Sequence, residues 1–208
     1  MTVLRGLFAI ALLMLLASCA SLSKDECLNA DWHTIGFGDG TQGLAAGQID
    51  EHRQACAKYG IAPDLEAYLA GRDQGLAQYC RTDNAWRIGV SGGQLNSVCP
   101  PELEGPFQDA WSAGHGLWSR RDALNQVESD IQSHHNQIEK IDKRITKKSA
   151  DLIADDTEKE ERIRLLAEIK DLNDRKNRLK VELVDLAAER EARAADLSAY
   201  EANVSSNY

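Results

Sequence analysis

The chain has 208 residues and a formal net charge of −9 at pH 7. This length predicts one or two domains, and the acidic balance argues against binding to nucleic acid or to anionic membranes through bulk charge. A hydrophobic content of 43% and a charged content of 27% exclude a chain that is disordered by composition or embedded in a membrane throughout.

The N-terminal residues predict an export signal. Arg5 is the only charged residue before Lys24, and the apolar run that follows it is too short to span a bilayer. Next comes Leu16-Ala17-Ser18-Cys19, which resembles the lipobox of bacterial lipoproteins. The resemblance implies that residues 1–18 are a signal peptide. It also implies that Cys19 becomes the mature N-terminus and carries diacylglycerol and an amide-linked acyl chain such as palmitate.

The residue after Cys19 bears on the target membrane. In the enterobacterial sorting pattern an Asp at this position marks retention in the inner membrane, so Ala20 indicates the outer membrane. We therefore expect a protein of the bacterial cell envelope that is lipid-anchored through Cys19 and faces the periplasm. The alternatives are an ordinary signal peptide followed by a chance cysteine, and an N-terminal transmembrane anchor.

Four cysteines remain besides Cys19, and an oxidising compartment converts paired thiols to disulfides. Four cysteines allow three connectivities. We favour Cys27–Cys56 and Cys80–Cys99, because each bond closes a loop of modest length. A zinc site is the rival interpretation, but no two cysteines have the C-x₂-C spacing typical of zinc ligands. We predict neither a metal nor another cofactor.

An aromatic residue followed by spaced glycines recurs through the first half of the chain. The copies are Tyr68-x-x-Gly71-x-x-x-Gly75, Trp86-x-x-Gly89-x-x-x-Gly93 and two variants that begin at Trp32 and Trp111. Glycines four residues apart leave bare backbone on one helix face, where another element can pack closely. The aromatic residues predict either the core of the domain or a small binding surface formed by Trp32, Tyr68, Trp86 and Trp111.

Local signals predict the elements of this half. Residues 41–58 have a helical pattern, and a second helix is expected from Pro63 to about Cys80, with acidic residues in its first turn. Prolines and glycines predict a loop over residues 96–105. Turns are expected at Gly38-Asp39-Gly40 and Gly92-Gly93.

Several of these motifs occur together in a known family. They are Asp31-Trp32-x-x-x-Gly36, His52-x-x-x-Cys56-Ala57-x-x-Gly60, Asp64-x-x-x-Tyr68-x-x-Gly71-x-x-x-Gly75-Leu76-x-x-Tyr79-Cys80 and Val98-Cys99-Pro100. Through them, residues of about 27–118 resemble the bacterial lipoprotein family catalogued as domain of unknown function 2799. The resemblance implies an exported, lipid-anchored and cysteine-bridged domain, and it implies no catalytic activity.

The second half predicts a helical hairpin, because its apolar residues recur at the 3–4 spacing of a coiled coil in two runs. The runs are Leu124, Val127, Ile131, Ile138, Ile141, Ile145 and Leu152, then Leu165, Ile169, Leu172, Leu179, Leu183, Leu186 and Leu197. Between the two runs the apolar repeat is interrupted and resumes in a different phase. Thr157 with Glu160 forms a capping-box signature there, which is typical of the start of a helix. We therefore expect an antiparallel pair with its turn at residues 155–157.

Facing residues of an antiparallel pair have numbers with a constant sum. A sum of 310 sets apolar against apolar in six layers, which include Ile138 with Leu172 and Ile131 with Leu179. A sum of 317, one heptad away, sets Ile141 against Lys176. We therefore expect the register of 310. A parallel dimer of one continuous helix is the alternative to the hairpin.

The expected fold class is mainly α: a small disulfide-bonded, Gly/Trp-rich helical domain followed by a long antiparallel α-helical hairpin. The expected divisions are a signal peptide (1–18), a lipidated tether (19–26), a cysteine-bridged domain (27–105), a hairpin coiled coil (106–202) and a tail (203–208).

No G-x-S-x-G, H-E-x-x-H or P-loop motif occurs, so we expect no enzyme. The expected function is that of a structural or interaction scaffold of the envelope. Its partners would be the membrane, through the lipid, and an envelope protein or cell-wall component, with a homo-oligomer formed through the coiled coil and no nucleic acid. The alternative is a small-ligand-binding or enzymatic module that acts through the aromatic, glycine-rich domain.

Overall fold

The computed structural model describes residues 21–204, so the signal peptide, Cys19 and the last four residues lie outside the described residues. The helices are α1 Lys24–Leu28, α2 Trp32–Thr41, α3 Gln48–Ala57, α4 Leu65–Tyr79, α5 Thr82–Val90, α6 Pro101–Ile153 and α7 Lys159–Val204. Within residues 21–204 these helices are joined by turns and loops, without a strand. The mainly α fold class is confirmed.

The described residues form two compact units, of which the first comprises residues 21–85 and 95–109. Its two disulfides join Cys27 of α1 to Cys56 of α3, and Cys80 at the end of α4 to Cys99 in the loop before α6. The pairing that loop length favours is confirmed. Each of the four sulfurs is bonded to one other sulfur in these two disulfides, so none of them is available as a ligand of a zinc ion.

Within the first unit, α2 and α4 pack against each other through bare backbone. A Cβ built on Gly36 or Gly40 of α2, or on Gly71 or Gly75 of α4, would collide with backbone atoms of the opposite helix. The glycine-lined helix face predicted from the spacing is thus confirmed. The cost of glycine in a helix is offset here, because only a residue without a side chain lets the two backbones approach this closely.

Two predictions for this region are wrong. Gly38-Asp39-Gly40 is not a turn but part of α2, because its backbone packs along α4 and continues the helix. The predicted helix over residues 41–58 is interrupted over residues 42–47, and α3 begins only at Gln48. Gly43 ends the helical path, since it adopts φ +69° and its Cα lies against the ring of Tyr79, where a side chain would not fit.

The helix predicted from Pro63 to Cys80 is confirmed as α4, whose N-cap Asp64 accepts a hydrogen bond from the N–H of Ala67 at 3.0 Å. The loop predicted over residues 96–105 is wrong in its second half, because α6 begins at Pro101. Proline costs nothing at the first helical position, where the missing N–H would have no intrahelical partner. Pro106 removes one further bond near the start of a helix of 53 residues.

The second unit comprises residues 86–94 and 110–204, and it contains the hairpin. The chain leaves α6 after Ile153, turns over residues 154–158 and returns as α7. Arg162 closes the turn by donating hydrogen bonds to the carbonyls of Leu152, Ala154 and Thr157. It thereby satisfies carbonyls where α6 ends and the chain turns into α7. The predicted hairpin is confirmed, and the single continuous helix is excluded.

The register of the hairpin differs from the expected one. Cross-helix ion pairs join His134 to Glu182, Lys148 to Glu168 and Asp142 to Lys176. Their residue numbers add up to 316, 316 and 318, close to the sum of 317 and at least six residues from 310. The register of 310, with Ile138 against Leu172 and Ile131 against Leu179, is therefore wrong. In the observed register Ile138 lies opposite Leu179.

Charge explains why the register of 310, which has more apolar layers, is not the one observed. A sum of 310 would set cation against cation in the seam at two levels, Lys148 with Arg162 and Arg120 with Arg190, and would set His134 against Lys176. In the observed register His134, Lys148 and Lys176 each meet an acid of the opposite helix beside the facing apolar residue. Arg120 likewise forms an ion pair with Asp196, with 3.1 Å between Nε and Oδ2. Lysine packs its stem along the seam and keeps its ammonium at the edge. Ile141 accordingly stays buried although Lys176 lies opposite.

We predict opposite effects for two alanine substitutions in α2. Gly36→Ala should lower the free energy of unfolding by about 2 kcal/mol, because its methyl group collides with the backbone of Tyr68 and forces α2 from α4. Gly38→Ala meets nothing within 4 Å and should raise it by about 0.5–1 kcal/mol through helix propensity. Urea unfolding with the disulfides intact measures both. Equal effects would contradict the close packing of α2 on α4.

The register is tested by disulfide trapping. We expect Ile138→Cys/Leu179→Cys to crosslink rapidly within one chain at high dilution. Ile138→Cys/Leu172→Cys should crosslink far more slowly, because the two positions are offset by seven residues, about 10 Å along the helix axis. Partial proteolysis followed by mass spectrometry identifies the bond. Faster trapping of the second pair would restore the register of 310.

Candidate functional site: a buried aspartate–histidine–tyrosine network

Three helices of the first unit each contribute one polar side chain to a buried network. Asp39 comes from α2, His52 from α3 and Tyr68 from α4. Their exposed fractions are 7%, 4% and 0%. Buried polar groups on this scale must be hydrogen-bonded to one another, since an unpaired one costs several kcal/mol.

One carboxylate oxygen organises the network. Asp39 Oδ2 lies 2.8 Å from His52 Nε2 and accepts the Tyr68 hydroxyl at 2.6 Å. Because a carboxylate only accepts, the proton of a neutral His52 sits on Nε2. The other ring nitrogen, Nδ1, is then an acceptor, and the hydroxyl of Ser21 donates to it at 3.0 Å. The chain of contacts thus runs from the buried Asp39 to Ser21 at the surface.

The surroundings keep Tyr68 protonated. Burial raises the pKa of Tyr68, and the hydrogen bond to Asp39 and the negative charge of that carboxylate raise it further. The charge of Arg72 opposes this effect. Arg72 is itself buried, and it donates from Nε and Nη2 to the carbonyl of Leu44 at 3.0 and 2.7 Å. It thereby fixes the turn between α2 and α3.

The segment that precedes α1 is held against this network. Leu22 is buried in a core cluster with Cys27, Trp32, Ile49, Ala55, Cys56 and Tyr68. Ser23 begins α1 with a capping box, in which its hydroxyl accepts from the N–H of Glu26 and the Glu26 carboxylate accepts from the N–H of Ser23. Residues 21–23 therefore each have a fixed side-chain position.

A serine, a histidine and a carboxylate in sequence are the groups by which hydrolases activate a nucleophile. Such a relay also needs a substrate cleft with donors for the developing oxyanion. The groove that includes the adjoining Leu22, about 460 Å³, is rimmed by Asp25, Glu26 and Asp31, whose charges would repel an oxyanion. The geometry therefore supports attachment of Ser21 to the core and gives no support to a reaction at its hydroxyl.

Of the two alternatives for the aromatic residues, the core is the correct one for Trp32 and Tyr68, and the binding surface is not. Both are buried in the first unit, and Tyr68 has no exposed surface. Trp32, Tyr68, Tyr79 and Phe107 are buried in the core of this unit, because so small a domain has few other large apolar side chains to fill it.

Trp86 and Trp111 belong to the second unit, and both are partly buried. Trp111 donates from Nε1 to the carbonyl of Gly93 at 2.9 Å. Its ring stacks on His115 at 4.7 Å, and His115 lies 5.1 Å from the ring of Trp118. This row of three rings follows the spacing of one helix face, a signal that was visible in the sequence.

The second unit uses glycine in the same way as the first. A Cβ on Gly89 of α5 would lie 2.7 Å from the N of His115, and one on Gly114 of α6 would lie 3.0 Å from the N of Val90. Gly92 adopts φ +74° and packs against the ring of Trp118, so the turn predicted at Gly92-Gly93 is confirmed.

Sequence reasoning missed Ser21, Asp39 and Arg72. Asp39 was assigned to a turn, and its burial follows only from the packing of α2 on α4. His52 was noted as part of a motif, but its partners lie 13 and 31 residues away in the chain. An acidic residue between two glycines that face another helix is the one local signal that could have identified Asp39.

Two other kinds of site are absent from the described residues. Residues 21–204 contain no group of three or more His, Cys, Asp or Glu side chains that could hold a metal ion. None of the helices in this range is long and apolar enough to cross a membrane.

Residues 31–116 match the family model described as "Protein of unknown function (DUF2799)". The resemblance inferred from the motifs is thereby confirmed for this part of the chain. The match contains Asp39, His52 and Tyr68, but Ser21, Cys27 and all of α7 lie outside it. No curated protein and no solved structure matches the chain.

Removal of one hydroxyl tests the network. Tyr68→Phe should lower the free energy of unfolding by about 2 kcal/mol, because it removes a buried hydrogen bond to a charged acceptor. Tyr59→Phe is the matched control at a partly exposed position and should change stability by less than about 0.5 kcal/mol. Urea unfolding of both variants checks this. Similar losses for the two would show that the Tyr68–Asp39 bond contributes little.

Proposed function

We propose that the protein is a lipoprotein of the bacterial cell envelope with a scaffold role. Cys19 carries the lipid, the first unit is held at the membrane surface, and the hairpin of α6 and α7 is the interaction element. The observation that carries the proposal is the fixed position of Ser21 and Leu22, which follow Cys19 by only two and three residues.

The docked segment leaves almost no tether. Two residues span at most about 7 Å when fully extended, so a lipid on Cys19 would lie close to the Ser21–His52 contact. The segment assigned to a tether, residues 19–26, is from Ser21 onward part of the folded unit. The cystine at Cys27 and the capping box at Ser23 support the same attachment. A flexible tether would need none of these contacts.

The hairpin supports an interaction role. A helix of 46 residues such as α7 is about 69 Å long. It exposes large apolar side chains, among them Ile163, Leu166, Val181 and Val184. Exposed apolar residues grouped on one element indicate contact with a partner. In the Gram-negative envelope such a partner would be a protein or a wall component, and the net charge of −9 disfavours a polyanion.

The outer membrane is the proposed destination, because Ala20 follows the lipidated cysteine. Acyl chains contribute about 0.8 kcal/mol for each buried CH₂, so more than one chain holds a protein on a bilayer stably. The scaffold role needs no catalytic group. It needs a permanent anchor, a rigid attachment and an exposed element, and this chain offers candidates for each.

The anchor is tested by fractionation. We expect the wild-type protein in the membrane fraction, with a diacylglyceryl group on Cys19 in the mass spectrum. Cys19→Ala should either remain as unprocessed precursor or appear in the soluble periplasmic fraction. Ser18→Ala keeps a small residue before the cysteine and should behave as wild type. A mature protein that begins at another residue and carries no lipid would refute the proposal.

A further inference from the structure

The side of α7 that faces away from α6 carries its own apolar pattern. Ile163, Leu166, Val181 and Val184 are 60%, 55%, 64% and 69% exposed. At 3.6 residues per turn they lie on one side of the helix, whereas Leu165, Leu172 and Leu179 are buried. We call the four exposed residues, with the polar residues between them, the outer face of α7.

The outer face has apolar ends and a polar centre. Between Leu166 and Val181 it presents Lys170 and Asn177, and Lys170 donates to Asp174 at 2.7 Å. A groove of about 490 Å³ runs beside Val181. Four half-exposed aliphatic side chains on a helix are costly in water, so this face has the composition of a contact surface.

The order of residues along the face is self-complementary. When a second copy lies antiparallel, with residue numbers that add up to 347, Ile163 meets Val184 and Leu166 meets Val181. Lys170 then meets Asn177, and the two-fold axis passes between residues 173 and 174. A two-fold interface requires that if residue i contacts j, then j contacts i. The outer face meets this condition at every apolar position.

Charge complementarity selects the same arrangement. Beside the apolar layers, the antiparallel pair brings Asp171 of each copy next to Arg178 of the other. It likewise brings Arg164 next to Asp185. A parallel pair in register would instead set Lys170 against Lys170 at the centre of the contact. At the two-fold axis Asp174 of each copy lies beside Asp174 of the other, with Lys170 of each copy next to its own Asp174. The opposite-charge pairs on the flank favour the antiparallel arrangement, and the contact of Lys170 with Lys170 disfavours the parallel one.

We propose that the outer face of α7 binds a second copy of this chain in an antiparallel, two-fold contact. The inference deepens the proposed function by naming the partner of the interaction element, and it rests on the hairpin rather than on the lipid anchor. The contact is limited to one face of one helix over 22 residues, about 33 Å, whereas stable complexes typically bury 1,200–2,000 Å² over several elements. The dimer is therefore reversible, and confinement of both copies to one membrane would raise its occupancy.

Disulfide trapping in native membranes tests the arrangement. Two full-length chains with different tags are co-expressed, one with Ile163→Cys and the other with Val184→Cys. We expect disulfide-linked heterodimers. Chains with Ile163→Cys alone should not crosslink to each other, because these positions lie about 31 Å apart in the antiparallel pair. Crosslinking through Ile163→Cys alone, or no crosslink in either case, would overturn the proposal.

Sedimentation of the mature protein in mild detergent gives an independent readout. Val184→Asp should raise the dissociation constant about tenfold or more, because it places a charge in an apolar layer twice. Asp171→Arg should also weaken the dimer, and Asp171→Arg/Arg178→Asp should restore it. Ser129→Asp on the exposed side of α6 is the control and should leave the constant unchanged. An unchanged constant in Val184→Asp would overturn the proposal, whereas loss of membrane attachment in Cys19→Ala would bear only on the anchor.

Discussion

The close approach of α2 to α4 is the constraint on which the first unit depends. Glycines at the crossing let the two backbones touch, and this distance brings the Asp39 carboxylate of α2 within 2.6 Å of the Tyr68 hydroxyl of α4. A buried carboxylate needs further donors, and His52 supplies one from α3. The other ring nitrogen of His52 contacts the Ser21 hydroxyl. The contact of Ser21 with His52 thus depends on the packing of α2 against α4, because that packing places Asp39 and Asp39 in turn binds His52.

Local patterns were sufficient to predict what depends on neighbouring residues. The helices of the hairpin, the turn at residues 155–157, the bare faces of the glycine pattern and the Asp64 cap all follow from spacing along the chain. The disulfides followed from loop length. Asp39 could not be predicted in the same way, because its burial depends on a helix that begins 26 residues later. A lone acidic residue among glycines has the local signature of a turn.

The register error has a different cause. A count of apolar layers favours the sum of 310, because that register sets the two polar seam residues Lys176 and His134 against each other and leaves the apolar residues paired. The structure shows that each can lie in the seam when an acid of the opposite helix reaches its charged end: Asp142 for Lys176 and Glu182 for His134. The sign of the charge that each seam residue meets therefore favours the observed register. Apolar burial differs much less between the two registers, because a lysine stem is itself apolar.

The same reasoning separates the two faces of α7. In the seam, cations interrupt the apolar residues and make a slip of one heptad unfavourable, so α7 is fixed against α6. On the outer face the charges are balanced along the helix, and the apolar residues stand at its two ends. A face that only needed to be soluble would have polar residues at those ends, as the exposed positions of α6 beside Ser129 do. Because a helix needs only one apolar stripe to pack in a hairpin, the exposed apolar residues on the outer face of α7 are available for a second contact, which is the contact proposed above.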